Sequence, residues 1–390
     1  MMIIHQSKPL FAWDDLEDSP SLKTIKDLLA ALPDGKLLES LRVARGKGRN
    51  EYPVSVLWGV IVLRVALRHL TTEAVLDELR RNEGLRRLIG IESESDVPKK
   101  WNMSRFEEVL GQEPHRTLLK EIFNGLIQRL GAAIPDLGRD AAGDGETLPE
   151  ILRQAQANLP KDRIKTLAYD KAADGEEVHK HLSEERITPL IQMRSLWKSE
   201  PERMLPGHDG GSNVVYTEDG TIHCYDKVSE PPVRHKMSYI GHEPERQTLK
   251  YRCPAKHEGW GCPMSEVCNA GKTYGKTVRV NREIDPRRFP ALPRATKKFE
   301  RMYKGRTSVE RVNARLKIFW GVDDGNVTGS RRFVAQVGVV LAVHATFATL
   351  LASAPRREGT LGKLQLSPIA KALRAKAEAG PAAAGPALAV

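Results

Sequence analysis

Apolar residues recur at helical spacing through most of the first third of the chain. LKTIKDLLAAL, VSVLWGVIVLRVALRHL, EAVLDELRRNEGLRRLIG and HRTLLKEIFNGLIQRLG each set them three and four positions apart, the spacing that lines one face of an α-helix. Pro53 near the second segment, Thr71-Thr72 before Glu73, and Ser104 opening SRFEEVLG mark predicted helix starts. Residues 21–130 are therefore predicted as a compact helical domain, preceded by an arm over 1–20. The pattern then changes. GAAIPDLGRDAAGD reads as loop, a helix is predicted from Leu148 to Ala157, and the short apolar runs IKTLAY and ITPLIQM read as strands flanking the helical EEVHKHLSEE. Strand, helix and strand in that order imply an α/β layer, so the fold class expected is mixed, α+β or α/β. Residues 196–290 abound in Gly, Pro, His, Tyr and Cys, with strand-like NVVYT, TIHCYD and TVRVN, and are predicted as a β-rich insertion. Helical pattern returns near Pro293 and continues through Trp320, followed by the apolar run Val334 to Ala354. The tail over 356–390 is rich in Ala, Pro and Gly and buries too little to order itself.

Charge narrows the partner. Lys plus Arg number 61 against 50 Asp plus Glu, a formal charge of +11, which favours a polyanion through counterion release, and nucleic acid before others. Membranes attract basic proteins too, but here the basic residues are spread through folded-looking segments rather than gathered on one amphipathic arm. Val334 to Ala354 approaches the length that spans a bilayer. Gln336 and His344 lie inside it, and a helix buried in a large core is the expectation. The first twenty residues carry neither the charged nor the apolar region of a secretory signal, so a cytoplasmic protein without a membrane partner is expected. Arg64, Arg68, Arg80, Arg81, Arg86 and Arg87 are candidates for a phosphate-contacting face, set against the commoner role of such residues as a solvated helix surface.

Candidate chemistry concentrates in Tyr303-Lys304-Gly305-Arg306-Thr307-Ser308-Val309-Glu310, continued to Lys317. On one helix Arg306, Glu310 and Lys317 share a face, while Val309, Val312, Leu316 and Phe319 take core spacing on another. This pattern resembles the signature of a large group of insertion-sequence transposases with an RNase H-like catalytic core, in which Tyr, Arg, Glu and Lys recur at these spacings. The resemblance implies that Glu310 is a metal-binding carboxylate and that Tyr303, Arg306 and Lys317 contact phosphates of the transposon end. AYDKAAD is similar to the stretch after the fourth strand of those enzymes, which implies Asp170 as the second catalytic acid. YPVSVLWGVIVLRVALRHLTTEAVLDEL followed by WNMSRFEEVLG resembles their leading domain, implying a part in binding terminal inverted repeats. The catalytic core would then comprise 131–195 and 291–355. Two Mg²⁺ or Mn²⁺ ions about 4 Å apart can activate the attacking oxygen and stabilise the leaving one, and such hard cations take oxygen ligands. The partners implied are double-stranded DNA, at transposon ends and target, and a second copy of the chain as a homodimer on DNA.

The first catalytic Asp is open between Asp140 and Asp144, with Asp144 preferred because GDGET looks more like the family's short turn. From Asp144 to Asp170 the core of such an enzyme must hold two further strands, a helix and the start of another strand. With strands of about 5 to 6 residues and helices of about 11 to 12, that set needs roughly twice the length present. The expectation is a core missing its second and third strands, in which DNA binding could survive while strand cleavage does not.

All four cysteines fall between Cys224 and Cys268. In a reducing compartment that points to metal before disulfides. Cys253, His257, Cys262 and Cys268 are candidate ligands for a structural Zn²⁺, with Cys224 or His223 able to replace His257. The spacings are not those of paired CxxC knuckles, and reduced thiols in a small core are the alternative.

Overall fold

The computed structural model describes residues 20–46, 51–143, 148–198, 200–207, 212–322 and 327–353. Nearly all of the arm, the whole of the tail and Asp144 lie outside the described residues. The chain divides into two units, one joining the N-terminal helices to everything from Val312 onward, the other made chiefly of residues 161–311 with 138–157.

The first unit is helical, as the periodicity predicts. Helices Pro20–Ala31, Gly35–Arg45, Val54–Ala66, Thr72–Arg81, Lys100–Leu110 and His115–Ala133 are joined by the long helix Ser330–Ser353. Thr71 caps its helix by accepting a hydrogen bond from Ala74 N at 3.1 Å, the boundary expected. Ser104 instead lies inside Lys100–Leu110, which begins two residues after Pro98. Val54–Ala66 is buried along almost its whole length, the state expected of a helix apolar all round.

Ser330–Ser353 is long and apolar enough to cross a membrane. Its Ala335, Val339, Val340, Val343 and Phe347 lie in the same core as Leu63, Leu119 and Leu126. It packs chiefly along His115–Ala133, where Gly338 lets the two helices close up: a Cβ there would stand 3.0 Å from the Leu119 side chain. By contacts, residues from Val312 onward group with the N-terminal helices, whereas 291–355 was expected with the catalytic core. A helix this apolar needs a large apolar surface, and the N-terminal helices supply it.

Each of the six candidate arginines has a partner within this unit. Arg64 is buried, with Nη1 donating to Glu107 at 2.6 Å and to Thr72 at 2.8 Å and Nη2 donating to Gln336. It ties its own helix to three others as a core strut. Arg86 donates to the Leu79 and Arg80 carbonyls. Arg80, Arg81 and Arg87 pair with Asp77, Glu78 and Glu83 one turn away. Arg68 lies over the Phe319 ring and donates to its carbonyl at 2.6 Å.

In the second unit, β1 (Asp140–Ala142), β2 (Thr166–Tyr169) and β3 (Thr188–Ile191) form a parallel sheet in sequence order. Helices Leu148–Asn158 and Glu176–Glu184 make the crossovers that parallel neighbours require. The segment read as loop thus contains a strand. Asp-Ala-Ala has little strand propensity, and the pairing with β2 makes it one. Among the described residues a single crossover helix separates β1 from β2, and β1 pairs with no other strand.

Seven more strands make two antiparallel sheets, β4 (Glu202–Met204), β5 (Val214–Thr217), β6 (Ile222–Asp226) and β7 (Val233–Lys236) in one, and β8 (Ser238–Glu243), β9 (Thr248–Arg252) and β10 (Thr277–Asn281) in the other. Leu205, Val214, Ile222, Met237, Leu249, Val280 and Phe289 form one core between them.

Candidate active site

Asp170 stands at the carboxyl end of β2, a common site position in open parallel sheets. Its side chain opens the turn Lys171–Ala173, with Oδ1 accepting from Ala172 N at 3.4 Å. Tyr169, just before it, is fully buried, and its ring occupies the space beside Gly143: a Cβ there would stand 2.3 Å from the ring. Gly143 also donates its N–H to the Ala168 carbonyl at 3.0 Å, which keeps the ends of β1 and β2 level.

Asp140, the alternative first acid, is at the wrong end of its strand. It pairs in register with Thr166 at the start of β2, accepts the Thr166 hydroxyl at 2.7 Å and is ion-paired with Arg139. Asp144 remains the candidate. It is separated from Asp170 in sequence by the same interval as the register partners Asp140 and Thr166.

Behind the sheet lies a cluster of buried charge that the sequence reading missed. Asp174 is fully buried, four residues after Asp170. One carboxylate oxygen meets His179 Nε2 at 3.1 Å and Arg294 Nη2 at 3.2 Å, and the other accepts Arg194 N at 2.7 Å and Arg287 Nε at 3.0 Å. Burial alone would raise its pKa, but these donors outweigh it and hold the carboxyl below its usual range. Burial likewise pushes the His179 imidazole down. Arg294 is pushed down to about 10, again by burial, with Asp174 opposing. Arg294 also donates to the carbonyls of Ile191, at the end of β3, and of Arg287. The cluster therefore clamps the exit of β3 to the chain segment entering the next helix. Three arginines within DPRRFPALPR, among residues otherwise suited to burial, were its signal in the sequence.

From that clamp the helix Lys297–Tyr303 runs against the sheet, started by Thr296, whose hydroxyl accepts from Phe299 N. Phe299 and Tyr303 stack at 5.7 Å and pack with Ala168, Leu190 and Leu292. The Tyr303 ring is partly buried in this packing. A 3₁₀ turn, Lys304–Arg306, follows and lies beside β1 and β2. It leads into the helix Thr307–Ala314, where Glu310 is 60% exposed and pairs with Arg306 Nη2 at 3.1 Å.

The single helix expected from Tyr303 to Lys317 is therefore three windings, since Arg315–Phe319 is π-helical. The shared face expected of Arg306 and Glu310 holds, while the spacing that put Lys317 on it assumed a regular α-helix. Val312, expected in the core, is 52% exposed.

Asp170 and Glu310 are oxygen ligands within one unit, the donor type a hard divalent cation requires. Among the described residues no three His, Cys, Asp or Glu side chains already form a metal cage.

Of the expected zinc ligands, Cys253, Cys262 and Cys268 line one small cavity, and Cys224 on β6 completes the set. His257 lines a different cleft, with Trp260 and Lys236. It lies near the end of the short helix Pro254–Glu258 and is not among the residues lining the thiol cavity. None of the four cysteines is in a disulfide. Burial, with the neighbouring thiols adding to it, pushes the Cys224 thiol up to about 12.

The family model described as Transposase DDE domain matches residues 140–345, and that described as Transposase domain (DUF772) matches residues 15–108. No curated protein and no solved structure matches the chain significantly. Leading helices, a mixed α/β fold and these matches agree, and the chain belongs to the DDE transposases, divalent-metal-dependent nucleases and strand transferases that act on DNA.

Proposed function

We propose that this chain cleaves and joins DNA at the ends of an insertion sequence, in the cytoplasm, as a homodimer assembled on the terminal inverted repeats, with Asp144, Asp170 and Glu310 as its catalytic acids. The observation that carries the reading is the Lys304–Arg306 turn beside β1 and β2, because it brings the start of the Glu310 helix to the strand that ends at Asp170. The three carboxylates would hold two Mg²⁺ or Mn²⁺ ions, which supply an activated oxygen nucleophile and stabilise the leaving oxygen. Arg306 neutralises Glu310 when DNA is absent and is free to exchange that partner for a phosphate, to which its planar fork is suited. Lys317 adds a second cation for the DNA backbone.

A second reading is favoured by one observation. β1 pairs only with β2, so the second and third strands expected of an RNase H-like core have no counterpart among the described residues. Such a chain would bind transposon ends without cutting them. The two readings separate in one assay. A labelled duplex carrying the inverted repeat that flanks the coding region is mixed with the full chain and Mg²⁺. Nicking at the 3′ end of the element is expected. A retarded complex with no nick in either Mg²⁺ or Mn²⁺ would establish the binding-only reading.

A further inference from the structure

The β-rich part of the second unit holds four thiols that the transposition chemistry does not use. Cys224 comes from β6, Cys253 directly follows β9, Cys262 lies in the loop beyond the helix Pro254–Glu258, and Cys268 sits on the short helix Ser265–Asn269. All four line one cavity of about 20 Å³, room for a single ion or water. Around it, two side-chain amides each bring an N–H₂ group to sulfur, one donating also to the Tyr225 carbonyl at 2.7 Å and the other to Ser265 Oγ at 3.1 Å. Asn213 Nδ2 stands 3.6 Å from Cys268 Sγ, and Asn269 Nδ2 stands 3.8 Å from Cys253 Sγ.

The orientation of both amides is fixed from the other side. Asn213 Oδ1 accepts from Lys276 Nζ at 2.8 Å, and Asn269 Oδ1 accepts from Lys276 N at 2.6 Å. Neither amide can turn its oxygen to the thiols without losing that bond. Donors held in this way suit negatively charged sulfur, and such outer contacts commonly orient and neutralise metal-bound thiolates.

We propose that Cys224, Cys253, Cys262 and Cys268 bind one structural Zn²⁺ as four thiolates, cross-linking the β4–β7 sheet to the β8–β10 sheet. Binding releases four protons and leaves a site of net charge −2, which the two amides and Lys276 offset. As they stand, no three of the sulfurs are grouped closely enough to hold a metal ion. Zinc–sulfur bonds of about 2.3 Å draw them inward, and the Cys262 loop, bounded by two helices of five residues each, is the part free to adjust. Ligands from β6, the end of β9, a loop and a short helix would cross-link a module whose core is small among the described residues, the circumstance in which a structural metal contributes most.

Metal content settles the proposal. The full chain, purified without chelator from zinc-supplemented cells, is expected to carry about one zinc, with its four thiols slow to react with a disulfide reagent until a strong chelator is added. Replacement by Co²⁺ is expected to give the sulfur-to-metal charge-transfer bands and strong visible absorption of a tetrahedral four-thiolate site. Cys224→Ser is expected to weaken metal binding at least about tenfold, whereas His257→Ala leaves it unchanged. Should Cys224→Ser not fold, the Co²⁺ spectrum of the unaltered chain decides. Promptly reactive thiols with zinc far below one per chain would overturn the proposal, as would disulfides among the four cysteines, or zinc lost in His257→Ala but kept in Cys224→Ser.

Discussion

Glu310→Gln and Asp170→Asn are each expected to slow Mg²⁺-dependent nicking of the transposon end by at least ~10³-fold, equivalent to about 4 kcal/mol of transition-state stabilisation. Each change keeps the shape of the side chain and removes its charge. Metal ions contribute several kcal/mol to phosphoryl transfer by neutralising developing negative charge, and a site short of one anionic ligand holds them weakly or off centre. Glu310 is largely exposed and Asp170 opens a surface turn, so neither substitution disturbs a core. The loss should appear in single-turnover rates while affinity for the end duplex stays within a few fold. A rate within tenfold of the unaltered chain would remove that residue from the catalytic set.

The second large effect concerns stability. Asp174→Ala is expected to destabilise the second unit by about 3–5 kcal/mol, the usual cost of leaving buried charge without its partner. Arg294 and Arg287 would both lose their carboxylate, Arg294 with its side chain 3% exposed and Arg287 with 13%. Urea unfolding at neutral pH checks it. The same group makes the unit acid-sensitive. Its carboxyl is held below the usual carboxylate range in the folded state, so its contribution is complete above the unfolded pKa of about 3.9 and is lost as pH falls through the lower folded value. Asp174→Ala should flatten the acid limb of the stability curve. An unchanged urea midpoint would mean that the guanidinium groups find solvent or other acceptors at no cost.

What could be read in the sequence divides along physical lines. The helices of the first unit were legible because burial imposes a 3.6-residue period, and β2, β3, β5, β6 and β10 because their β-branched and aromatic residues suit a pleated surface. β1 was not, since Asp-Ala-Ala becomes a strand only by pairing with β2. β7, whose sequence is VRHK, is mostly exposed and carries no alternation to find. The Tyr-Arg-Glu-Lys spacing located Glu310, while the 3₁₀ and π windings on either side of its helix left no trace in a pattern read at constant period. Asp174 escaped because a buried acid is recognised by its partners, and Arg287 and Arg294 lie more than a hundred positions away. Long-range pairing also decided that Cys224, rather than the nearby His257, joins the other three thiols.

The central claim is that Asp170 and Glu310 ligate the same catalytic metal ions, and changing metal preference tests it most directly. Glu310→Cys and Asp170→Cys replace an oxygen ligand with sulfur, which Mg²⁺ accepts poorly and Mn²⁺ tolerates better. The unaltered chain should nick in both metals, and each variant should be inactive in Mg²⁺ yet recover measurable nicking in Mn²⁺. Variants that nick in Mg²⁺ at the unaltered rate, or that stay inactive in both metals while still binding the end duplex, would contradict shared ligation.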